Sequence, residues 1–202
     1  MKVNMVTSRE RILKAVKANQ PNFVSFADIN IPQSTEDLPN KFALALRNVG
    51  GNFVELDHLQ EVENYINENF KQGGRVLSSI PELLKFNGLD VIDTDPHSLA
   101  NVELAVLRAD IAVAENGACW LPEVNTLQRV LPFIAQHLIL LVSIKAFVPT
   151  MHQAYEIIGR DAYGYGVFIA GPSKTADIEQ SLVLGAHGPR SMTVCLVNEW
   201  AT

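Results

Sequence analysis

The chain has 202 residues and a mass of 22.3 kDa, which is enough for one sizeable core. Because 48% of its residues are hydrophobic and 19% are charged, the composition is that of a globular protein and excludes disorder as the main state. Its formal net charge of −6 argues against a nucleic acid or an anionic membrane as the main partner, since both attract net positive charge.

The cysteine count and the lengths of the apolar runs bear on metal sites and on the cellular compartment. Cys119 and Cys195 are too few for a disulfide framework, an iron–sulfur cluster or a cysteine-rich zinc site. The N-terminus has no apolar run like that of a signal peptide, and the longest apolar stretch, 138–144, is far shorter than the ~20 residues that span a bilayer. We therefore expect a cytoplasmic protein without membrane insertion.

The first predicted element is an amphipathic helix within residues 1–20. Thr7 and Glu10 have the spacing of a capping box, and Ile12, Leu13 and Val16 form a narrow apolar stripe. A helix of this length is not stable alone in water, so it should dock on this chain or on a partner. We interpret residues 1–20 as an appendage to an α/β domain formed by residues 21–202.

Helices and strands alternate in the next part of the chain. The predicted elements are helices after caps at Asp37 and Asp57 and at 81–86, and strands at 53–56, 75–79 and 90–93. Strand–helix–strand units of this length are typical of a mostly parallel sheet.

Strands dominate the second half of the chain. They are predicted at 103–107, 110–114, 118–121, 138–143, 166–170 and 191–197, with one helix at 149–158. The first three follow one another without a helix, which predicts a locally antiparallel or mixed region. The sequence therefore predicts a single α/β domain with a mostly parallel sheet flanked by helices, preceded by the N-terminal helix.

The first candidate site is the Glu115-Asn116-Gly117 segment at the end of the predicted strand 110–114. In open α/β sheets, ligands bind beyond the carboxyl ends of the strands. A half-buried glutamate at that place can serve as a general acid, a base or a nucleophile. The alternative is a plain hairpin turn that Glu115 only flanks, because Asn-Gly is a strong hairpin signal.

The second candidate is Gly-Pro-Ser-Lys-Thr at 171–175, between a predicted strand and a helix starting near Ala176. A helix N-terminus presents unbonded backbone N–H groups and a partial positive charge to an anion. Ser173 and Thr175 would add hydroxyl groups, and Lys174 would add a full charge. The alternative is a helix cap beside a surface lysine; the spacing does not match a Walker loop.

The third candidate is the turn 185–190, which contains two glycines, a proline, His187 and Arg190. If it folds beside Ser173, His187 and Arg190 would complete a cationic pocket for a carboxylate or a phosphate. The alternative is a turn histidine that has no partner.

Taken together, segments 109–117, 171–180 and 184–189 resemble the signature of the lactate-utilisation (LUD) domain family, and within it the YkgG group. The resemblance is tight over the C-terminal half and loose before it. The stretch 171–180 is long and ungapped, which makes it far more specific than a short motif.

The resemblance implies a fold similar to that of ribose-phosphate isomerases, glucosamine-phosphate deaminases and CoA transferases. It also implies a role in oxidising L-lactate to pyruvate beside two iron–sulfur partner proteins. Because the chain has no cysteine cluster and no recognisable flavin or dinucleotide fingerprint, we expect no cofactor in this chain. The resemblance implies that the iron–sulfur clusters lie on the partner proteins.

The leading hypothesis is an accessory or substrate-binding subunit that holds a small anion such as lactate, pyruvate or a phosphate-bearing molecule. The residues expected to bind the anion are Ser173, Lys174, Thr175, Arg190 and Asn116, with the backbone of Ser173 and Thr175 as its cradle. Glu115 and His187 are the candidate proton-transfer groups.

Two other hypotheses follow from the same residues. One is a free-standing enzyme that resembles phosphosugar isomerases or CoA transferases, in which Glu115 would form an acyl-enzyme thioester with CoA. The other is a protein-binding module with a vestigial pocket, which would dock through Ile12, Leu13 and Val16. The anion-binding subunit and the free-standing enzyme both require segments 115–117, 171–175 and 185–190 to converge around one hollow.

Overall fold

The computed structural model describes residues 7–25, 37–70, 74–87, 95–159, 163–176, 182–185 and 187–200. The helices are α1 (Ser8–Ala18), α2 (Leu38–Asn48), α3 (Leu59–Asn69), α4 (Leu131–Ile134) and α5 (Met151–Ile158), with short 3₁₀ helices at Pro81–Phe86, Pro96–Leu99, Glu123–Asn125 and Ile144–Ala146. The strands are β1 (Asn52–His58), β2 (Arg75–Ser78), β3 (Val102–Arg108), β4 (Ile111–Val113), β5 (Ala118–Pro122), β6 (His137–Ser143), β7 (Phe147–Val148), β8 (Gly166–Ile169), β9 (Lys174–Ala176), β10 (Leu182–Leu184) and β11 (Ser191–Glu199).

The chain divides into two units, 1–33 and 34–202. In the first unit, the N-terminus of α1 is closed by the predicted capping box. The Thr7 hydroxyl accepts a hydrogen bond from the Glu10 backbone N–H at 3.3 Å, and the Glu10 carboxylate accepts one from the Thr7 backbone N–H at 2.8 Å. Every residue of α1 is exposed. Among the described helices, none has the length and apolar character needed to cross a membrane.

The second unit is organised by a five-stranded sheet with the spatial order β1-β11-β6-β3-β2. All four neighbouring pairs in this main sheet are parallel, as the sequence predicted. The central strand is β6, and its residues 138–142 are all buried, which is expected for a strand covered on both faces.

A second sheet of four strands has the order β7-β4-β5-β8. Its β4–β5 and β5–β8 pairs are antiparallel, and its β4–β7 pair is parallel. This confirms the mixed region predicted where strands follow one another directly. A separate antiparallel pair joins β9 and β10.

The two faces of the main sheet are covered by different elements. Leu140 and Val194 lie in one apolar cluster with Phe42 and Leu46 of α2 and with Cys119 of the second sheet. The neighbouring positions on the same strands face the opposite way, because side chains alternate along a strand. That face packs against α3 through a cluster that contains Leu141, Cys195, Val62 and Ile66.

The outer face of the second sheet packs against α5, in a cluster that includes Trp120, Ala154 and Ile158. The second unit therefore has its two sheets between α3 on one side and α5 on the other, with α2 packed among the residues that lie between the sheets.

Two local predictions of secondary structure are wrong. Asp57 does not cap α3: it still belongs to β1, its carboxylate accepts a hydrogen bond from the Asn198 side chain at 3.1 Å, and His58 is the cap residue. The helix predicted to start near Ala176 is wrong at that residue, because Ala176 pairs with Leu182 in the β9–β10 hairpin. The remainder of that helix and the predicted strand 90–93 fall outside the described residues.

Candidate functional site

The Asn116-Gly117 segment forms the turn between β4 and β5. The Asn116 side-chain oxygen accepts a hydrogen bond from the Ala118 backbone N–H at 3.0 Å, and the Gly117 N–H donates to the Val113 carbonyl at 2.9 Å. Gly117 has φ = +70°, and a Cβ atom there would lie 2.7 Å from the backbone N and Cα of Leu46 in α2. The hairpin interpretation of this segment is therefore confirmed, and the turn needs glycine for two reasons.

The Glu115 carboxylate contacts helix α5, whereas the anion-site hypothesis placed it beside segments 171–175 and 185–190. Its Oε2 accepts a hydrogen bond from the Met151 backbone N–H at 2.9 Å, at the first residue of α5. A carboxylate at a helix N-terminus satisfies an unbonded N–H group and interacts favourably with the helix dipole. The expectation that Glu115 is half-buried is wrong, because the residue is exposed.

The other two predicted segments are joined directly. The Ser173 backbone N–H donates to the Pro189 carbonyl at 2.9 Å, and the Gly185 N–H donates to the Ser173 carbonyl at 3.0 Å. A Cβ atom on Gly188 would lie 2.9 Å from the Ser173 Cβ. We refer to residues 171–174 and 185–190 as the loop pair; its described residues converge as the sequence predicted.

The hairpin of β9 and β10 explains why these loops meet. Lys174 pairs with Leu184 across the hairpin, so that the residues flanking its open end, Ser173 and Gly185, lie beside each other. The Ser173 N–H is already used within the loop pair. That N–H is therefore not free to serve in the predicted backbone anion cradle.

Three side chains of the loop pair can bear positive charge and are exposed: Lys174, His187 and Arg190. Gly185 (φ = +74°) packs directly against the Arg190 side chain, so that a Cβ atom at this position would overlap it. The Lys174 side chain passes close to Gly50, just beyond the end of α2. The backbone of Thr175 lies in β9, opposite Val183.

Helix α2 also connects the loop pair with the Asn116-Gly117 turn. Gly171 (φ = +75°) lies so close to the Val49 carbonyl that a Cβ atom would overlap it, and a Cβ atom on Gly117 would overlap the Leu46 backbone. Thus Gly117 and Gly171 both approach this helix, and the turn 185–190 is joined to the second of these segments through its hydrogen bonds with Ser173. Within the described part of the chain, however, the hydrogen-bonding partner of the Glu115 carboxylate is Met151 and not one of the three basic side chains.

Sequence reasoning missed a cleft at the carboxyl edge of the main sheet. The cleft has a volume of about 260 Å³ and is lined by Arg108, Ala109, Asp110, Ser143, Lys145, Ala146 and Trp200. Arg108 and Ser143 are the last residues of β3 and β6, and Trp200 follows the last residue of β11. The signal that could have found it is a polar residue at the end of each of two adjacent buried strands.

A second hollow of about 300 Å³ lies at the opposite edge of this sheet. In it, His137 Nδ1 is 2.7 Å from the Ser191 hydroxyl oxygen, and the imidazole ring packs edge-on against Phe70 with a centroid separation of 5.3 Å. His137 and Ser191 are paired residues on adjacent strands. The contact therefore links the first residues of β6 and β11.

The fold and the three segments define an α/β protein with a parallel main sheet, a mixed second sheet and a glycine-rich loop pair. Residues 40–197 match the family model of the LUD domain. The chain therefore belongs to the LUD domain family, which confirms the resemblance that its sequence carries.

Curated relatives and one solved structure agree with this assignment. Lactate utilization protein C of Geobacillus kaustophilus is 35% identical over 111 residues, which are 52% of this chain and 45% of that protein. Lactate utilization protein C of Bacillus subtilis is 35% identical over 106 residues, 50% of this chain and 43% of that protein. The matched segment thus spans less than half the length of these relatives.

The crystal structure of a DUF162 family protein from Deinococcus radiodurans is similar with a TM-score of 0.60 and 17% identity. The similarity covers 83% of this chain and all of that one. At this level of identity the comparison supports the fold alone.

Proposed function

We propose that this chain takes part in lactate utilization as a subunit that binds a small organic anion, such as L-lactate or pyruvate, at the loop pair. The relatives that match about half of this chain are named lactate utilization protein C, and this supports a part in lactate utilization. The observation that supports the binding role is the bond from Ser173 to Pro189, because it holds the loops of Lys174 and of His187 and Arg190 together.

The chemistry of these side chains suits a small carboxylate. Arginine binds a carboxylate through two parallel N–H groups, lysine adds a point charge, and a neutral histidine can accept a proton from a substrate hydroxyl group. All three are exposed, and together they place basic groups on one part of a chain whose formal net charge is −6. Such a local reversal of sign attracts small anions.

Oxidation of L-lactate to pyruvate releases two electrons and two protons, and the electrons need an acceptor. In our proposal the acceptors are iron–sulfur partner proteins, and this chain binds and orients the carboxylate. His187 is the group on this chain that would take up the hydroxyl proton. The Cα–H bond breaks as well; its two electrons pass to the partner proteins and its proton is released to solvent.

Reconstitution tests the proposed role. The purified chain is added to the iron–sulfur partner proteins, and lactate-dependent reduction of a dye is followed with and without it. We expect dye reduction to depend on the chain and to saturate with its concentration. Full activity of the partners without the chain would contradict the proposal.

Acyl transfer through Glu115 has less support in the geometry, because the carboxylate that would attack the acyl group is bonded to the first N–H of α5. The phosphosugar-isomerase alternative depends on the same carboxylate, so it has less support for the same reason.

A further inference from the structure

The cleft at the carboxyl edge of the main sheet is separate from the loop pair in its lining residues. Three adjacent parallel strands contribute to it, since Arg108 ends β3, Ser143 ends β6 and Trp200 follows β11. Lys145 enters from the short 3₁₀ helix that follows β6. This edge of an open α/β sheet is where ligands generally bind.

Arg108 is held in one orientation by two neighbours. Its Nε lies 3.2 Å from Asp110 Oδ1, and the same oxygen accepts a hydrogen bond from the Asn125 side chain at 2.9 Å. Its guanidinium carbon lies 5.3 Å from the centre of the Trp200 ring. Among the described contacts, these use the Nε atom and a face of the guanidinium, which leaves the two terminal nitrogens for a ligand.

The hydroxyl group of Ser143 is oriented as well. Its oxygen accepts a hydrogen bond from the Lys145 backbone N–H at 3.4 Å, so its own proton remains available for donation. The Lys145 side chain is exposed. The cleft thus combines two cations, a hydroxyl donor and one carboxylate, and its formal charge is positive because Asp110 offsets only one of the cations.

We propose that this cleft is a second ligand site, which binds a small oxyanion, a carboxylate or a phosphate. The planar fork of Arg108 matches two oxygens of either group, and Lys145 and Ser143 supply further donors. A volume of about 260 Å³ limits the ligand to a compact molecule. The proposal is independent of the loop pair and does not require the loop pair to bind anything.

Tryptophan side-chain signals in a ¹H–¹⁵N NMR spectrum provide the test. The intact chain has two tryptophans, Trp120 in the second sheet and Trp200 in the cleft, and the variant Trp200→Phe assigns their indole signals. The chain is titrated separately with pyruvate and with inorganic phosphate at constant ionic strength, with glycerol as the neutral control. Arg108→Gln, Lys145→Gln and Lys174→Gln are titrated in parallel.

We expect the Trp200 signal to shift and saturate with at least one of the two anions, and not with glycerol. Arg108→Gln and Lys145→Gln should each weaken that binding at least fivefold, and Lys174→Gln should leave it unchanged. Since Lys145 is an exposed side chain, its variant keeps the test valid even if Arg108→Gln disturbs the fold. A saturating shift with pyruvate alone assigns a carboxylate ligand, and one with phosphate alone assigns a phosphate.

Two results would overturn the proposal. One is a Trp200 signal that does not saturate with either anion. The other is binding that survives both cleft variants but is lost in Lys174→Gln, which would assign the ligand to the loop pair. Full dye reduction by the partner proteins without this chain would contradict the proposed function only, so the two proposals can fail separately.

Discussion

The backbone N–H of Ser173 and the carbonyl of Pro189 are joined by a hydrogen bond of 2.9 Å, and this bond connects the two loops on which the proposed function depends. The bond uses the Ser173 N–H that would otherwise be available to an anion. It also fixes the loop that carries Lys174 beside the loop that carries His187 and Arg190. The Ser173 N–H is therefore not available as a donor, and the proposed site relies on the basic side chains of these two loops.

The first prediction concerns the close contact between Gly117 and α2. Gly117→Ala should lower the free energy of unfolding by about 2 kcal/mol or more, because alanine is strained at a positive φ and its Cβ would meet the Leu46 backbone. Urea unfolding measures the change. The matched control is Gly50→Ala, which also has a positive φ, of +81°, but whose Cβ would meet atoms no closer than 3.7 Å. Equal losses in both variants would show that the contact with α2 contributes nothing.

The second prediction separates two roles of Glu115. If this residue caps α5, Glu115→Gln should lower the free energy of unfolding by about 0.5 kcal/mol at neutral pH, because the helix N-terminus loses a negative charge. The control Glu156→Gln, on an exposed residue near the other end of α5, should cause no such loss.

Chemistry at Glu115 is checked in the same protein. Incubation with an acyl-CoA followed by borohydride reduction should leave the mass of the Glu115 peptide unchanged. A mass change confined to Glu115 would instead assign it the role of a nucleophile.

The third prediction concerns the thiols. Burial raises the pKa of the Cys195 thiol to about 12 and that of the Cys119 thiol well above its usual range, because an apolar interior disfavours the thiolate. Both thiols should resist Ellman's reagent at pH 8 in the folded protein and react in concentrated guanidinium chloride. Rapid modification of either thiol before unfolding would contradict the burial that the structure shows.

The fourth prediction is a pH dependence. The Arg129 side chain, through hydrogen bonds of 2.6 Å and 3.0 Å to the two carboxylate oxygens, lowers the pKa of Glu123 in the folded protein. A group whose pKa is lowered by folding contributes stability above its unfolded pKa of about 4.5 and loses it as the pH falls through the folded value. Wild type should therefore be more stable than Arg129→Gln at neutral pH.

That difference should disappear as the pH decreases through the acidic range, as measured by urea unfolding at several pH values. Lys14→Gln, on the exposed helix α1, serves as the control for loss of one positive charge. A difference that is independent of pH would show that Arg129 stabilises the protein by something other than its pairing with Glu123.

The sequence predicted the features of the fold that depend on local patterns. Continuous apolar residues from Leu138 onward predicted a strand covered on both faces, and Asn116-Gly117 predicted the turn between β4 and β5. In both cases, the signal lies within a few residues of the element that it predicts. The contact between Ser173 and the turn 185–190, which the structure contains, was instead a condition of the anion-site hypothesis, and no local pattern indicated it.

The features that the sequence did not predict depend on partners that are distant along the chain. Residues 174–176 form a strand because Leu182–Leu184 pair with them, and no local pattern in the segment distinguishes this from a helix start. Glu115 finds its partner at Met151, in a helix that follows three intervening strands. The cleft beside Arg108 is assembled from the ends of three strands, so it becomes visible only when their order in the sheet is known.

The most direct test of anion binding at the loop pair is isothermal titration calorimetry with L-lactate and pyruvate, with Lys174→Gln and the control Lys14→Gln measured alongside. Lys145→Gln is present in all three proteins, so that the cleft beside Arg108 does not contribute to the binding. We predict that the Lys145→Gln parent and Lys14→Gln bind at least one of these anions equally, and that Lys174→Gln binds it about tenfold more weakly, as expected for the loss of one charge-assisted hydrogen bond. Equal affinity of Lys174→Gln and the parent, or no binding by the parent, would contradict the account.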